Sequence, residues 1–235
     1  MIGGLILFFL FAGIAFLFRQ PAVKGKCGEL FIAWYLKFRL DKNKYTLLND
    51  VMLPDNAGGT TQIDHVVLSR YGIFVIETKN MKGWIFGDRK SEFWTQQIYK
   101  CKNRFQNPFF QNYKHICCLA ETTGIPVEYF IHVVIFVGEC TIKTRDKLPE
   151  ALVENVRGLE RFIASYQNEL LSDEVLAGIS QTIAASKIDN SLHNKRAHKQ
   201  YVQSIIEKKR ENNTAIDDRP EPPEAPEMPD PPVLG

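Results

Sequence analysis

The chain has 235 residues, 45% of them apolar and 24% charged, and a net charge of +2. That composition marks a globular protein with one good core and a small appendage, and excludes several large domains. The charge is uneven: residues 211–235 hold seven acids and one arginine, so residues 1–210 carry a net +8, which suits nucleic acid or an anionic membrane leaflet.

Residues Ile2 to Phe18 form an apolar or small run without a charge, about the minimum that spans hydrocarbon at roughly 1.5 Å per residue. No Lys or Arg precedes it, while Arg19, Lys24 and Lys26 follow. This predicts an uncleaved, single-pass membrane anchor over residues 1–20 with the following domain on the cytoplasmic side. Five cysteines without paired spacing agree with a reducing compartment.

Leu30 to Phe38 is apolar nearly all round and predicts a buried helix, with Glu29 in its first turn. Lys44 to Leu53 predicts a first strand, closed by Pro54 and the turn cluster Asp55 to Gly59. The hairpin Thr61 to Ser69 and Gly72 to Lys79 follows. Gly83 to Gly87 predicts a third strand, and Ser91 to Lys100 a fourth strand or an irregular crossing. Phe109 to Thr122 has helical apolar spacing with Gly124 as its stop. Tyr129 to Val137 is a continuous apolar run, hence a strand buried in the middle of the sheet. Lys147 to Tyr166 and Ser172 to Lys187 predict two helices, Ser191 to Arg210 a further polar one. The Pro- and acid-rich residues 211–235 predict disorder. The fold class is α/β (α+β), a mixed sheet flanked by helices.

The hairpin carries the chemistry. With the turn centred on Arg70 and Tyr71, Ser69 pairs with Gly72 and Asp64 falls opposite Glu77. Opposed carboxylates on neighbouring strands have Cβ atoms roughly 5 Å apart and repel each other. A cation between them removes that cost, and two hard oxygens with Lys79 nearby suit Mg²⁺ and a phosphate. His115 near Cys118, and His193 near His198, lack the spacing or partners for zinc and read as surface or core residues. Trp94 reads as core packing rather than a base-stacking platform.

Gly25-x-x-Gly28-Glu29, Gln62-Ile63-Asp64-His65, Gly72 to Lys79, Gly83, Trp94-x-Gln96 and Asn107-Pro108-x-x-Gln111, all in order, resemble the nuclease-related domain (NERD) family over roughly residues 24 to 140. The resemblance implies the PD-(D/E)xK, restriction-endonuclease-like superfamily, with its mixed sheet and flanking helices. Together with the helices and the tail read above, the expected organisation is a nuclease-like domain at 21–168, a helical extension at 169–210 and a tail at 211–235. By position it makes Glu29 the helix acid, Asp64 and Glu77 the metal-binding acids and Lys79 the catalytic lysine, with Gln62 and Gln96 as substrate contacts.

The activity implied is Mg²⁺-dependent hydrolysis of phosphodiester bonds in nucleic acid, DNA ahead of RNA, with Mn²⁺ as a substitute and no nucleotide cofactor. The alternative is a non-catalytic module of the same fold that holds nucleic acid or a partner at the membrane. The intact set Asp64, Glu77 and Lys79 favours the enzyme, because buried charges without a metal to serve cost stability.

Overall fold

The computed structural model describes residues 21–214. The apolar run at 2–18 and the tail from 215 onward lie outside the described residues, among which no helix is long and apolar enough to cross a membrane. In chain order the elements are α1 (Pro21–Arg39), β1 (Tyr45–Pro54), β2 (Thr60–Ser69), β3 (Gly72–Asn80), β4 (Gly83–Phe86), β5 (Phe93–Ile98), β6 (Cys101–Gln106), α2 (Pro108–Thr123), β7 (Phe130–Val137), β8 (Cys140–Ile142), β9 (Leu152–Val153), α3 (Val156–Ala164), α4 (Asp173–Ser186) and α5 (Leu192–Thr214).

The strands form two mixed sheets, a main one in the order β1-β2-β3-β7-β9 and a smaller one in the order β6-β5-β4-β8. In the main sheet β1, β2 and β3 are antiparallel, and β7 and β9 continue parallel to β3. One face packs Val66, Leu68, Ile73 and Val75 against Ile116 and Leu119 of α2 and Ile179 and Ile183 of α4. The other packs Val67, Phe74, Ile76 and Val133 against Ile32 and Leu36 of α1 and Leu159 and Ile163 of α3. The smaller sheet abuts the main one through Ile85 and Trp94, which meet Phe109, Val134 and Phe136. Trp94 is core, as expected.

Local chemistry accounts for the helix ends. Asn107 accepts from the Phe109 N–H, Pro108 opens α2, and Gly124, at φ 71°, closes it with its N–H on Ala120 O; this is the pairing of a side-chain cap with a left-handed stop. Ser172 caps α4 through the Val175 N–H.

Several expectations are corrected. There are two sheets rather than one. β6 went unpredicted because its mostly exposed residues, Cys101-Lys102-Asn103-Arg104-Phe105-Gln106, form a polar edge without apolar alternation. The stretch Lys147 to Tyr166 is not one helix: Leu152–Val153 pairs with β7, and Asn155 caps a fresh start at Val156 by accepting from the Gly158 N–H. The strand at 130–137 is, by contrast, buried and interior as expected, lying between β3 and β9. α5 runs on to Thr214, four residues past its expected end. α1 is not buried all round: Ile32 and Leu36 are covered, but Leu30, Phe31, Trp34 and Phe38 are exposed.

Candidate active site

The hairpin register is the expected one. Ser69 pairs with Gly72 and the ladder continues to His65 opposite Ile76, so Asp64 and Glu77 are the next positions along. The regular pairing stops there. Asp64 Oδ2 instead accepts the Thr78 N–H at 2.8 Å.

A matching break occurs on the other side of β2. The β1–β2 ladder runs through Asn49–His65 and resumes at Val51–Ile63, skipping Asp50 and Asp64. Asp50 has φ 53°, a left-handed conformation that Asp tolerates better than most residues. Inward-facing parity switches across this point: Val66 and Leu68 face α2, and so does Ile63. The acid therefore sits where the strand changes face and its backbone pairing lapses.

Glu77 and Lys79 lie on the α2 side of β3. The Glu77 carboxylate is buried, with Oε1 2.6 Å from Lys79 Nζ. Lys79 Nζ also donates to Gln111 Oε1 at 2.8 Å, which gives the expected Asn107-Pro108-x-x-Gln111 pattern a physical reason. Glu77 Oε2 lies 3.4 Å from His115 Nε2, yet neither atom makes a hydrogen bond. His115 Nδ1 is 2.6 Å from Thr61 Oγ1.

The two hairpin acids are pushed apart electrostatically. Burial alone would raise Glu77, but Lys79 and His115 outweigh it and bring its pKa down to about 2. Asp64 is raised well above the usual carboxylate range by burial first, then by the charges of Glu77 and Glu29. Such opposed shifts within one cluster are typical of functional carboxylates.

Glu29 reaches this cluster from α1, on the opposite side of the sheet. It lies past the first two turns of the described helix rather than in the first, which corrects the helix-dipole expectation. Gly28 makes the approach possible: a Cβ there would come within 2.7 Å of Asn80 Cβ and 3.2 Å of Val137 Cγ2. Asn80 Nδ2 donates to Lys24 O and ties the helix to the end of β3. Glu29 pairs with Lys26 at 2.8 Å, and Lys26 lies 3.3 Å from Asp50.

The expected substrate contacts separate. Gln62 donates to Asp50, which also pairs with Lys195 of α5 at 2.9 Å. Gln96 donates to Lys82 O, in the smaller sheet. Both glutamines thus have intramolecular partners, and neither joins Asp64, Glu77 and Lys79. Sequence reasoning missed Asp50, which no pattern singled out, and His115, considered only as a zinc ligand. Helical spacing offered one usable signal, since Gln111 and His115 are four apart and share the face turned toward β3.

Among the described residues no group of three or more His, Cys, Asp or Glu side chains could hold a metal ion. The hairpin nevertheless fits a hard cation that keeps several waters: Asp64 is under repulsion from two carboxylates, and Glu77 Oε2 is buried without a hydrogen bond.

A family model described as nuclease-related domain matches residues 24–137, the span that holds Glu29, Asp64, Glu77 and Lys79. An "uncharacterized protein" of Bacillus anthracis is 36% identical over 192 residues, which is 80% of this chain and 88% of that protein. No solved structure matches the chain.

Proposed function

Because the chain belongs to the nuclease-related domain family, a domain of the PD-(D/E)xK kind, we propose that it is a metal-dependent nuclease held at a membrane. The observation that carries this reading is the lapse in strand pairing at Asp64, where half-buried Asp64 and buried Glu77, under mutual repulsion, lie beside a lysine held by Glu77 and Gln111. Asp64 and Glu77 would hold Mg²⁺, or Mn²⁺ in its place. When bound, the ion supplies Lewis-acid polarisation of the scissile phosphate and acidifies a water.

The chain's own residues do the rest. Lys79, fixed at two points, offsets charge that builds on the phosphate or orients the attacking water. Glu29 adds negative charge and a water-mediated contact to the metal. Thr61 and Gln111 keep His115 and Lys79 in register with Glu77. The basic surface of residues 1–210 attracts the phosphate backbone, and DNA is the first substrate to test, RNA the second. Membrane attachment is supported by the run Ile2 to Phe18 and the cations after it, with the nuclease domain on the cytoplasmic side.

The test is incubation of the full chain in detergent with plasmid, linear duplex, single-stranded DNA and RNA, in Mg²⁺, Mn²⁺ and EDTA. Cleavage in either metal and none in EDTA is expected. Binding without cleavage under every condition would establish instead the non-catalytic module.

A further inference from the structure

α1 has two apolar faces, and the fold covers only one of them. Gly28, Ile32 and Leu36 are buried, Ile32 and Leu36 against the sheet and α3. On the outward side Leu30 is 60% exposed, Phe31 47%, Trp34 58% and Phe38 68%. At 100° per residue these four fall within one arc of about 100°. Trp34 and Phe38 touch each other, ring centroids 5.2 Å apart. The exposed Cys27 extends the strip by one turn. A contiguous apolar strip of this kind on a charged protein marks a contact surface.

We propose that this strip of α1 seats in a membrane interface, the helix lying along the lipid surface. The inference rests on the anchoring reading of residues 2–18. Arg19 and Gln20 alone separate the end of that run at Phe18 from Pro21, where α1 opens. Pro21 carries no N–H for a helical hydrogen bond to a preceding turn, so the sequence does not require run and α1 to be one continuous helix.

Three features choose lipid over other occupants. The run is apolar on all sides, so laying it against the strip would cover one side and leave the rest bare, whereas hydrocarbon covers it all round. Trp and Phe beside cations are the residues that settle at the headgroup boundary. Lys37 flanks the strip, and Lys42 and Lys44 are exposed in the loop that follows, complementary to anionic headgroups. A second copy is a poor fit, since four side chains over about 12 Å of helix fall short of the roughly 800 Å² per partner of a stable interface.

The orientation has a consequence for the site. Glu77 and Lys79 face α2, on the sheet side opposite α1, so the catalytic face turns away from the bilayer, toward nucleic acid in the adjoining solution.

The experiment uses the full chain reconstituted into vesicles of phosphatidylcholine and phosphatidylglycerol that contain shallow-brominated lipid. Three tryptophans are present, none of them in the run, so the difference between wild type and Trp34→Phe isolates Trp34. About a two-fold quenching of the Trp34 signal, lost in Trp34→Phe, is expected. Equal quenching of wild type and Trp34→Phe in a chain that resists carbonate extraction overturns the seated helix while the anchor stands. Extraction by carbonate overturns the anchor and the proposal with it. Efficient Cys27-to-Cys27 crosslinking across a short spacer, with Trp34 unquenched, assigns the strip to a second copy.

Discussion

Asp64 and Glu77 belong to one hairpin, yet their surroundings treat them oppositely. The folded protein holds a proton on Asp64 more tightly than the unfolded chain does, so its contribution to stability is lost as pH rises through the raised pKa. Asp64→Asn should therefore stabilise the metal-free protein near neutral pH. Glu77 is the reverse: lowered to about 2, it contributes stability above the ordinary carboxylate range that is lost as pH falls toward 2. Glu77→Gln leaves Lys79 without its buried partner and should cost about 2–4 kcal/mol. Urea titration in EDTA distinguishes the two outcomes. A second residue-scale test concerns His132, half-buried, stacked on Tyr113 and without a hydrogen bond on either ring nitrogen. Burial, helped by the charge of Arg89, lowers it from 6.5 to about 4, so the folded state resists protonation and stability falls as pH drops between those values. Allowing for partial exposure, the loss is roughly 2 kcal/mol, and His132→Phe, which keeps the stack, should remove it in denaturation curves at pH 7 and 4.5. The register that carries the hairpin as far as His65 and Ile76 was legible because a two-residue turn fixes it by counting, but the lapse of pairing at Asp64 and Glu77 was not. The contact of His115 with Glu77 was not, since it joins positions 38 apart whose approach depends on how α2 lies across the sheet.

At the scale of elements, the two glycines of α1 separate function from helix content. Gly25 has open space around it, whereas Gly28 meets the ends of β3 and β7. Gly25→Ala should stabilise by about 0.5–1 kcal/mol through helix propensity alone. Gly28→Val should destabilise by about 1–3 kcal/mol through overpacking and lift Glu29 away from the hairpin, a loss visible in both melting temperature and cleavage rate. The hairpin, α2 and α4 were readable because their apolar periods and caps agree. β6 and β9 were not, because an exposed edge strand and a two-residue strand carry no period to read. α1 misled for a different reason: apolar residues on every side predict burial, yet this helix is covered on one side only. α5 was legible as a polar helix, but its docking was hidden. It lies across the β1–β2 loop, with Lys195 on Asp50 and Tyr201 against Gly59 and Asp55.

For the whole molecule, charge distribution gives the next test. Residues 215–235, which lie outside the described residues, hold six acids and one arginine. Their removal should leave the melting temperature nearly unchanged and raise nucleic-acid affinity at low ionic strength, a gain that shrinks as salt screens the field; anisotropy titrations across salt concentrations read this directly. The central claim is that Asp64, Glu77 and Lys79 form one hydrolytic centre around a metal. Its most direct test is the single-turnover cleavage rate in saturating Mg²⁺ of wild type, Asp64→Asn, Glu77→Gln and Lys79→Ala, each first shown to be folded. A fall of at least about 100-fold is expected in all three variants, with Mg²⁺ still raising the melting temperature of Lys79→Ala, because lysine is not a ligand. Wild-type rates in Asp64→Asn and Glu77→Gln would contradict the assignment and leave the hairpin a structural feature of a binding module.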